Sequence, residues 1–506
     1  MEKLNVMKTR ELDLCTSCEI CFAVCSVGAI TMEYRLGQFF PTVDEKKCIK
    51  CGLCLKLCPG INIMPFIFEH KKVPNNIFDG NYLECYTAYS NDRKIRKNST
   101  SGGLITDLVV GLVKNKEFDG AFVLDFDKLD GKSARLKCTN NIDEIFKSAK
   151  SKYIPASVYN IIKTLKERNN NSYIIIGTPC QIWGIKNFIK NLRLSEINLL
   201  FLGLFCERTL NFNLIQYFED MYKKSNEKIV KFEFRTKEKY GWPGNSKLYF
   251  NSGRELIVSR NVRMQLKEFF QLNRCLFCVD KLNELADISF GDCYIEGKND
   301  INGRSTVIIR TKKGKEIFDR YSYLFTFEKE TIEEIRKSQH LIEKKDNLEY
   351  AKILAKKAGL YSNILPDYEI DGRAAKKLLK LQRRIKWGKH YNVHKIRFAF
   401  VCSNITKKLK NIERKILLGI ASAVIIGEDF FLHWQRKRKN DRKKIAENII
   451  IVGSDLANKG SQAMVFTVVN QIKRAFPNKK IYLFSSAIDF ERNEKEKNIY
   501  KFNILP

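Results

Sequence analysis

Sixteen cysteines stand in this chain of 506 residues, and eight of them fall in two matching runs. The first run is Cys15-Thr-Ser-Cys18-Glu-Ile-Cys21-Phe-Ala-Val-Cys25. The second is Cys48-Ile-Lys-Cys51-Gly-Leu-Cys54-Leu-Lys-Leu-Cys58, followed by Pro59. Both read C-x2-C-x2-C-x3-C. Three thiolates on one tight loop reach three irons of an iron–sulfur cube, and the fourth iron is held from elsewhere. Zinc bound by four thiolates also uses C-x2-C, so two zinc sites are the alternative. Either metal needs free thiols. The opening MEKLNVMKTRELDL is polar and charged, unlike a secretory signal, so the expectation is a cytoplasmic chain rather than a disulfide scaffold.

The paired runs resemble bacterial ferredoxins that carry two 4Fe–4S clusters. That resemblance implies crossed ligation, with Cys15, Cys18, Cys21 and Cys58 around one cluster and Cys48, Cys51, Cys54 and Cys25 around the other. Ser26 follows Cys25 where proline is usual. This change loosens the turn without removing a ligand.

Four more cysteines, Cys180, Cys206, Cys275 and Cys278, are a C-x2-C and two isolated residues beside strand-like runs. They can converge as a four-thiolate site for iron–sulfur or zinc, or remain plain buried thiols. Cys293 is left unassigned, and Cys85, Cys138 and Cys402 read as ordinary thiols. No histidine lies between His70 and His340, which disfavours Ser/His or Cys/His hydrolysis and His-ligated zinc catalysis there.

The elements that must position these residues follow from periodicity. Leu104–Val113 has helical spacing, while Gly120–Leu124 and Tyr173–Ile176 are short apolar runs that read as buried strands. Glycine-containing loops separate them, as in an α/β or α+β domain. Ser99-Thr-Ser101-Gly102-Gly103 leads straight into the helix. Its hydroxyls, bare N–H groups and positive dipole end make a seat for phosphate; an ordinary serine cap beside a flexible glycine pair is the plainer alternative.

Further blocks follow in order: Lys152-Tyr153-Ile-Pro155, Gly177-Thr178-Pro179-Cys180-Gln181, Phe205-Cys206, Phe234-Arg235, Gly241-Trp242, Cys275-Leu-Phe-Cys278, Ala286-Asp287-Ile288 and Gly291-Asp292. The series resembles the coenzyme F-420 hydrogenase/dehydrogenase beta-subunit family across about residues 80 to 345. The resemblance implies an oxidoreductase that uses FAD and iron–sulfur clusters to pass electrons to or from a deazaflavin or another organic acceptor. It implies FAD-binding residues at Ser101, Gly102, Gly103, Thr106, Lys152, Tyr153, Gly177 and Thr178, with Lys152 as counter-charge to the pyrophosphate. It also implies a third 4Fe–4S cluster on Cys180, Cys206, Cys275 and Cys278, and a redox partner protein or small organic acceptor. Catalytic residues beyond cofactor ligands are not identifiable, because the flavin does the chemistry.

Charge is lopsided, with 90 Lys and Arg against 57 Asp and Glu for a net +33. Between 371 and 445 there are 22 basic and 5 acidic residues, flanking the apolar run Ile416–Ile426. That run is too short to cross a bilayer as a helix, and its expected roles are a packed basic linker or peripheral contact with anionic lipid at the inner membrane face. No nucleic-acid motif accompanies the charge, so nucleic acid is not expected. After 446, the runs Asn448–Gly453 and Lys480–Phe484, joined by the Asn458–Ala463 loop and a helix, resemble the opening of a polysaccharide pyruvyl transferase. Only about 60 residues match, which points to a truncated unit or a link to surface-polysaccharide synthesis rather than to transferase activity.

The expected fold class is α/β: an α+β ferredoxin module (1–62), an α/β flavin domain (80–345), a basic, mainly helical linker (346–445) and a partial Rossmann-like unit (446–506). Two other functions fit the same residues, a non-catalytic electron-carrier subunit and a pyruvyl transferase fusion.

Overall fold

The computed structural model describes residues 5–62, 78–126, 134–167, 171–194, 196–341, 344–358, 372–397 and 399, with the backbone of strands at 448–452, 480–484 and 503–505. The chain divides into two units, Met1–Val393 and His394–Pro506.

The first unit opens with the cysteine module, whose antiparallel hairpin pairs β1 (Ile30–Arg35) with β2 (Gln38–Val43). Its two-residue turn has Leu36 at φ +53° and Gly37 at φ +79°. Hairpin turns of this length favour positive φ at both central positions, because their twist then matches the strands.

The main body adds β3 (Glu84–Ser90), β4 (Gly120–Phe126), β5 (Ala134–Thr139), β6 (Tyr173–Gly177), β7 (Leu199–Leu204), β8 (Ile229–Thr236), β9 (Asn245–Phe250), β10 (Glu255–Val258), β11 (Ile288–Asp292), β12 (Ser305–Ile309) and β13 (Phe325–Lys329). Eight of these form one mixed sheet in the order β13-β3-β12-β11-β7-β6-β4-β5, and β10-β9-β8 make a smaller antiparallel sheet. The central strands β4, β6, β7 and β11 are mutually parallel.

Burial on both faces explains the continuous apolar runs. Ile174, Leu200 and Leu202 point into one core with the helix Leu104–Lys114. Tyr173, Ile175 and Phe201 point into the opposite core with the helices Tyr159–Lys166 and Pro179–Leu192.

The cysteine module joins that second core through Ile20, Val24 and Leu57. Cys18 O accepts from the Val158 amide at 3.0 Å, and Glu19 Oε2 accepts from Ser157 Oγ at 2.7 Å. Gly184 opens the space for this contact, since a Cβ there would lie 2.4 Å from Ile20 Cδ1. Module and sheet therefore share one core instead of being strung together.

A third core joins Leu14 and Ile30 to Phe277, to Tyr350 and Ile353 of the helix Lys344–Ala358, and to Ala374, Leu378 and Ile385 of the helix Gly372–Lys389. The beginning of the stretch expected as a linker is thus a packed face. Its helical apolar stripe, not its charge, decides where it lies.

In the second unit β14 (Asn448–Val452), β15 (Lys480–Phe484) and β16 (Asn503–Leu505) form a parallel sheet in that order. β15 coincides with the expected strand, and β14 ends one residue short of the expected Asn448–Gly453 run. The 458–463 loop, the helix after it, Cys402 and the 416–426 run lie outside the described residues. No helix among the described residues is long and apolar enough to cross a membrane.

Candidate metal centres and cofactor cavity

The two cysteine runs fold by the same backbone device. Ser17 (φ +58°) and Glu19 (φ +64°) flank Cys18, and Lys50 (φ +53°) and Gly52 (φ +74°) flank Cys51. Left-handed residues on both sides of the middle cysteine curl each loop around a centre. Three of these four are not glycine, a strain that persists only where its surroundings enforce it.

The groups that result are crossed. Burial pushes the Cys15 thiol up to about 12, and the nearby Cys58 adds to the rise. Burial likewise raises Cys18 and Cys21 well above the ordinary range, reinforced by Cys58 and Cys15. Burial raises Cys54 as well, helped by Cys51 and Cys48. Those three and Cys25 line one small cavity of about 30 Å³. Buried thiols in one another's field ionise together only beside a cation, so this donor set suits a thiolate-bound metal cluster. Amides point at the sulfurs, Ser17 N at Cys15 Sγ (3.4 Å) and Ala29 N at Cys25 Sγ (3.3 Å), the kind of bond that tunes cluster potentials.

The sheet assembles the other four cysteines. Cys180 opens the helix after β6, Cys206 follows β7, and Cys275 and Cys278 sit on and just after the 3₁₀ turn Asn273–Phe277. Burial raises Cys206 well above the ordinary range, with Cys275, Cys180 and Cys278 adding to it. Burial also raises Cys275 to about 11, against the lowering effect of the Thr209 amide. Asn347 Nδ2 donates to the carbonyls of Cys275 (3.1 Å) and Cys278 (2.8 Å) and fixes that turn. Among the described residues no three His, Cys, Asp or Glu side chains are grouped for a single metal ion.

A cavity of about 290 Å³ opens at the carboxyl ends of β4, β6, β7 and β11, where open α/β sheets place their ligands. Ser101, Gly103, Thr106, Lys152, Tyr153, Gly177 and Thr178 line it, as do Cys18 from one thiol group and Cys180 and Cys206 from another.

The donors expected to face a phosphate are arranged differently. Gly102 is buried against β3 and β12: its N–H donates to Ser305 Oγ at 3.1 Å, and a Cβ would lie 2.6 Å from Ala88 O. Ser101 Oγ donates to the Arg304 carbonyl. Lys152 Nζ turns back onto the carbonyls of Ser148 (2.6 Å) and Ala149 (3.1 Å), at the end of the helix Ile142–Lys147. The turn is thus a packing joint, with these polar groups satisfied inside the protein.

Two residues around the cavity stand in the sequence only as parts of the block pattern. Arg235, 4% exposed, pairs with Asp292 through contacts of 2.5 and 3.2 Å, and its Nη1 also donates to the Tyr153 hydroxyl at 3.2 Å. Trp242 Nε1 donates to Asp292 Oδ1 at 3.2 Å. A third, Asn283, had no signal at all, yet its Nδ2 joins the Gly177 (2.9 Å) and Leu204 (3.2 Å) carbonyls at the ends of β6 and β7.

Residues 14–60 match a 4Fe-4S dicluster domain that spans all eight cysteines of the two runs. Residues 85–163 match the N-terminal part, and residues 170–335 the C-terminal part, of the coenzyme F420 hydrogenase/dehydrogenase beta subunit. The chain is 26% identical over 341 residues to a coenzyme F420-dependent sulfite reductase of Methanocaldococcus jannaschii, covering 64% of this chain and 48% of that protein. It therefore spans about half the length of that relative. It is 29% identical over 275 residues to a coenzyme F420 hydrogenase subunit beta of Methanosarcina barkeri, covering 52% of this chain and 87% of that protein. A chain of the F420-reducing [NiFe] hydrogenase complex from Methanosarcina barkeri matches with TM-score 0.42 and 24% identity, over 55% of this chain and 92% of that one. The family matches end at residue 335, so the likeness of 446–506 to a pyruvyl transferase gains no support from them. Behind a 4Fe-4S dicluster domain at 14–60, the chain thus carries both the N-terminal and the C-terminal domain of the coenzyme F420 hydrogenase/dehydrogenase beta subunit, at 85–163 and 170–335.

Proposed function

We propose that this chain is the flavin-binding subunit of an oxidoreductase that exchanges electrons with coenzyme F420 or a related organic acceptor. The observation that carries the reading is the wall of the cavity, which includes Cys18 on one side and Cys180 and Cys206 on another. A redox group seated there adjoins two separate thiol clusters. A bound flavin would supply the exchange between single electrons and a hydride equivalent.

The protein's own residues bind and shield. Val109, Val123, Leu124 and Leu136 form an apolar wall that excludes water. Tyr153, which also lines the cavity, is held by Arg235. Cys180, Cys206, Cys275 and Cys278 would hold a third 4Fe–4S cluster beside the cavity, to which Cys180 and Cys206 contribute, and a partner subunit could exchange electrons with it. The polysaccharide and membrane-contact expectations rest on residues 416–426 and 446–506 alone and form no part of this reading.

Anaerobic purification with iron, sulfide and flavin counts tests it. About twelve irons, one flavin and reduction of F420 support it, given three clusters of four irons each. About eight irons and no flavin would leave a simple electron carrier.

A further inference from the structure

Arg263, 7% exposed on the helix Arg260–Phe270, lies 5.0 Å from the centre of the Tyr153 ring. It makes no hydrogen bond or ion pair among the described residues, and its Nε is buried without an acceptor. One turn later, Lys267 also lacks such a partner, and burial together with the Arg208 charge pushes its pKa down to about 8. Arg208 Nε and Gln271 Nε2 are further buried donors without acceptors, although Arg208 Nη1 reaches Gln271 Oε1 at 2.7 Å. The bonds Asn211 N to Phe270 O (2.6 Å) and Leu272 N to Thr209 O (2.9 Å) lace segment 208–211 to the end of that helix.

The surrounding carboxylates are already engaged. Glu207 takes Arg208 (3.0 Å), Lys281 (3.1 Å) and Lys344 (3.5 Å). Glu268 takes Arg384, and Asp292 takes Arg235 at 2.5 Å. A buried cation left unpaired is costly, and removing it from water is repaid only by a well-placed anion. Tyr153 and Arg208 also line the cavity, so the surplus positive charge borders the cofactor site.

We propose that Arg208, Arg263, Lys267 and Gln271 form a seat for a phosphate oxyanion carried by the molecule in the adjoining cavity. Guanidinium groups bind phosphate through paired N–H donors. The Ser101–Gly103 turn has already spent its Ser101 hydroxyl and Gly102 amide within the fold. The identity of the carrier, a flavin dinucleotide or a phosphorylated deazaflavin, rests on the function proposed above; the anion seat itself does not.

The test uses the full chain and the variants Arg263→Met and Lys267→Met, alone and combined. Inorganic pyrophosphate should raise the melting temperature of the wild type but not of the double variant. Arg263→Met should also raise the melting temperature of the ligand-free protein, because an unpaired buried charge is removed; a merely structural arginine would lower it. In flavin-stripped protein the double variant should bind FAD at least tenfold more weakly and riboflavin, which has no phosphate, unchanged. Unchanged FAD binding with a tenfold higher KM for coenzyme F420 would assign the seat to the acceptor's phosphate. A pyrophosphate response in a protein that binds neither flavin nor F420 would sink the proposed function and keep the seat. No pyrophosphate response, together with unchanged FAD affinity and F420 KM, would overturn it.

Discussion

Arg274 Nε donates to the carbonyl of Pro59 at 3.2 Å, from a side chain only 4% exposed. Pro59 follows Cys58, a member of the first crossed thiol group, while Arg274 precedes Cys275. The charges of Cys278 and Cys180 hold the guanidinium firmly protonated despite its burial. One cation therefore spans two groups of cysteines.

Replacing it is expected to act on both. Arg274→Leu should cost about 2 kcal/mol, the scale of a hydrogen bond to a charged group, and should make reduction of a cluster on Cys180, Cys206, Cys275 and Cys278 less favourable. An EPR-monitored redox titration reads the second effect as a more negative midpoint potential. Arg274→Lys, which keeps the charge, should restore most of it. Equal potentials in wild type and both variants would remove the electrostatic role.

The crossed grouping makes an opposite pair of expectations. Cys25→Ser should damage the cluster held by Cys48, Cys51 and Cys54, although Cys25 belongs to the first run. Cys58→Ser should damage the cluster held by Cys15, Cys18 and Cys21. Each should lower iron by about four per chain, and combining Cys25→Ser with Cys51→Ser should remove no more iron than either alone. Additive losses would show that the ligands are not crossed.

Docking of the iron–sulfur module depends on Gly184. Gly184→Val puts side-chain volume where Ile20, fully buried, now packs. Overpacking of this kind costs about 1–3 kcal/mol. Urea denaturation should show that loss, and hydrogen exchange should accelerate at the Val158 amide, which donates to Cys18 O. Native protection at Val158 would mean that the contact yields elsewhere.

Lys237 sets a pH signature. Burial, with the charges of Arg96 and Arg235, pushes its pKa down to about 7, against about 10.4 in an unfolded chain. Between those values the unfolded chain holds a proton that the folded chain has lost, so stability rises with pH across that window. Below about pH 7 both states are protonated and the burial cost is fully present. Stability of the wild type relative to Lys237→Met should therefore climb from about pH 7 to about pH 10. A pH-independent difference would refute the assignment. Lys237 Nζ donates to Arg96 O and Ser101 O, both at 2.7 Å, so its deprotonation would weaken the tie on the turn beside the cavity.

Cysteine spacing was legible in the sequence because each set of three metal-facing thiols sits on one short loop, where chain geometry alone brings the sulfurs together. The strands at Gly120, Tyr173, Asn448 and Lys480 were legible for a similar reason: burial on two faces leaves an uninterrupted apolar run. The convergence of Cys180, Cys206, Cys275 and Cys278 was only a suggestion until a parallel sheet brought the ends of β6 and β7 beside the Asn273–Phe277 turn. Polar partners were settled by the tertiary structure alone. Ser101, Gly102 and Lys152 have the residue types of a phosphate seat, but β12 and a nearby helix end claim their donors first. Arg263 and Lys267 look like ordinary charges on an amphipathic helix, and only packing shows that the nearby carboxylates Glu207 and Glu268 form their ion pairs with other cations among the described residues. Local spacing decides which atoms can share a metal, whereas competition among distant partners decides which charges remain unpaired, and that competition exists only in the folded chain.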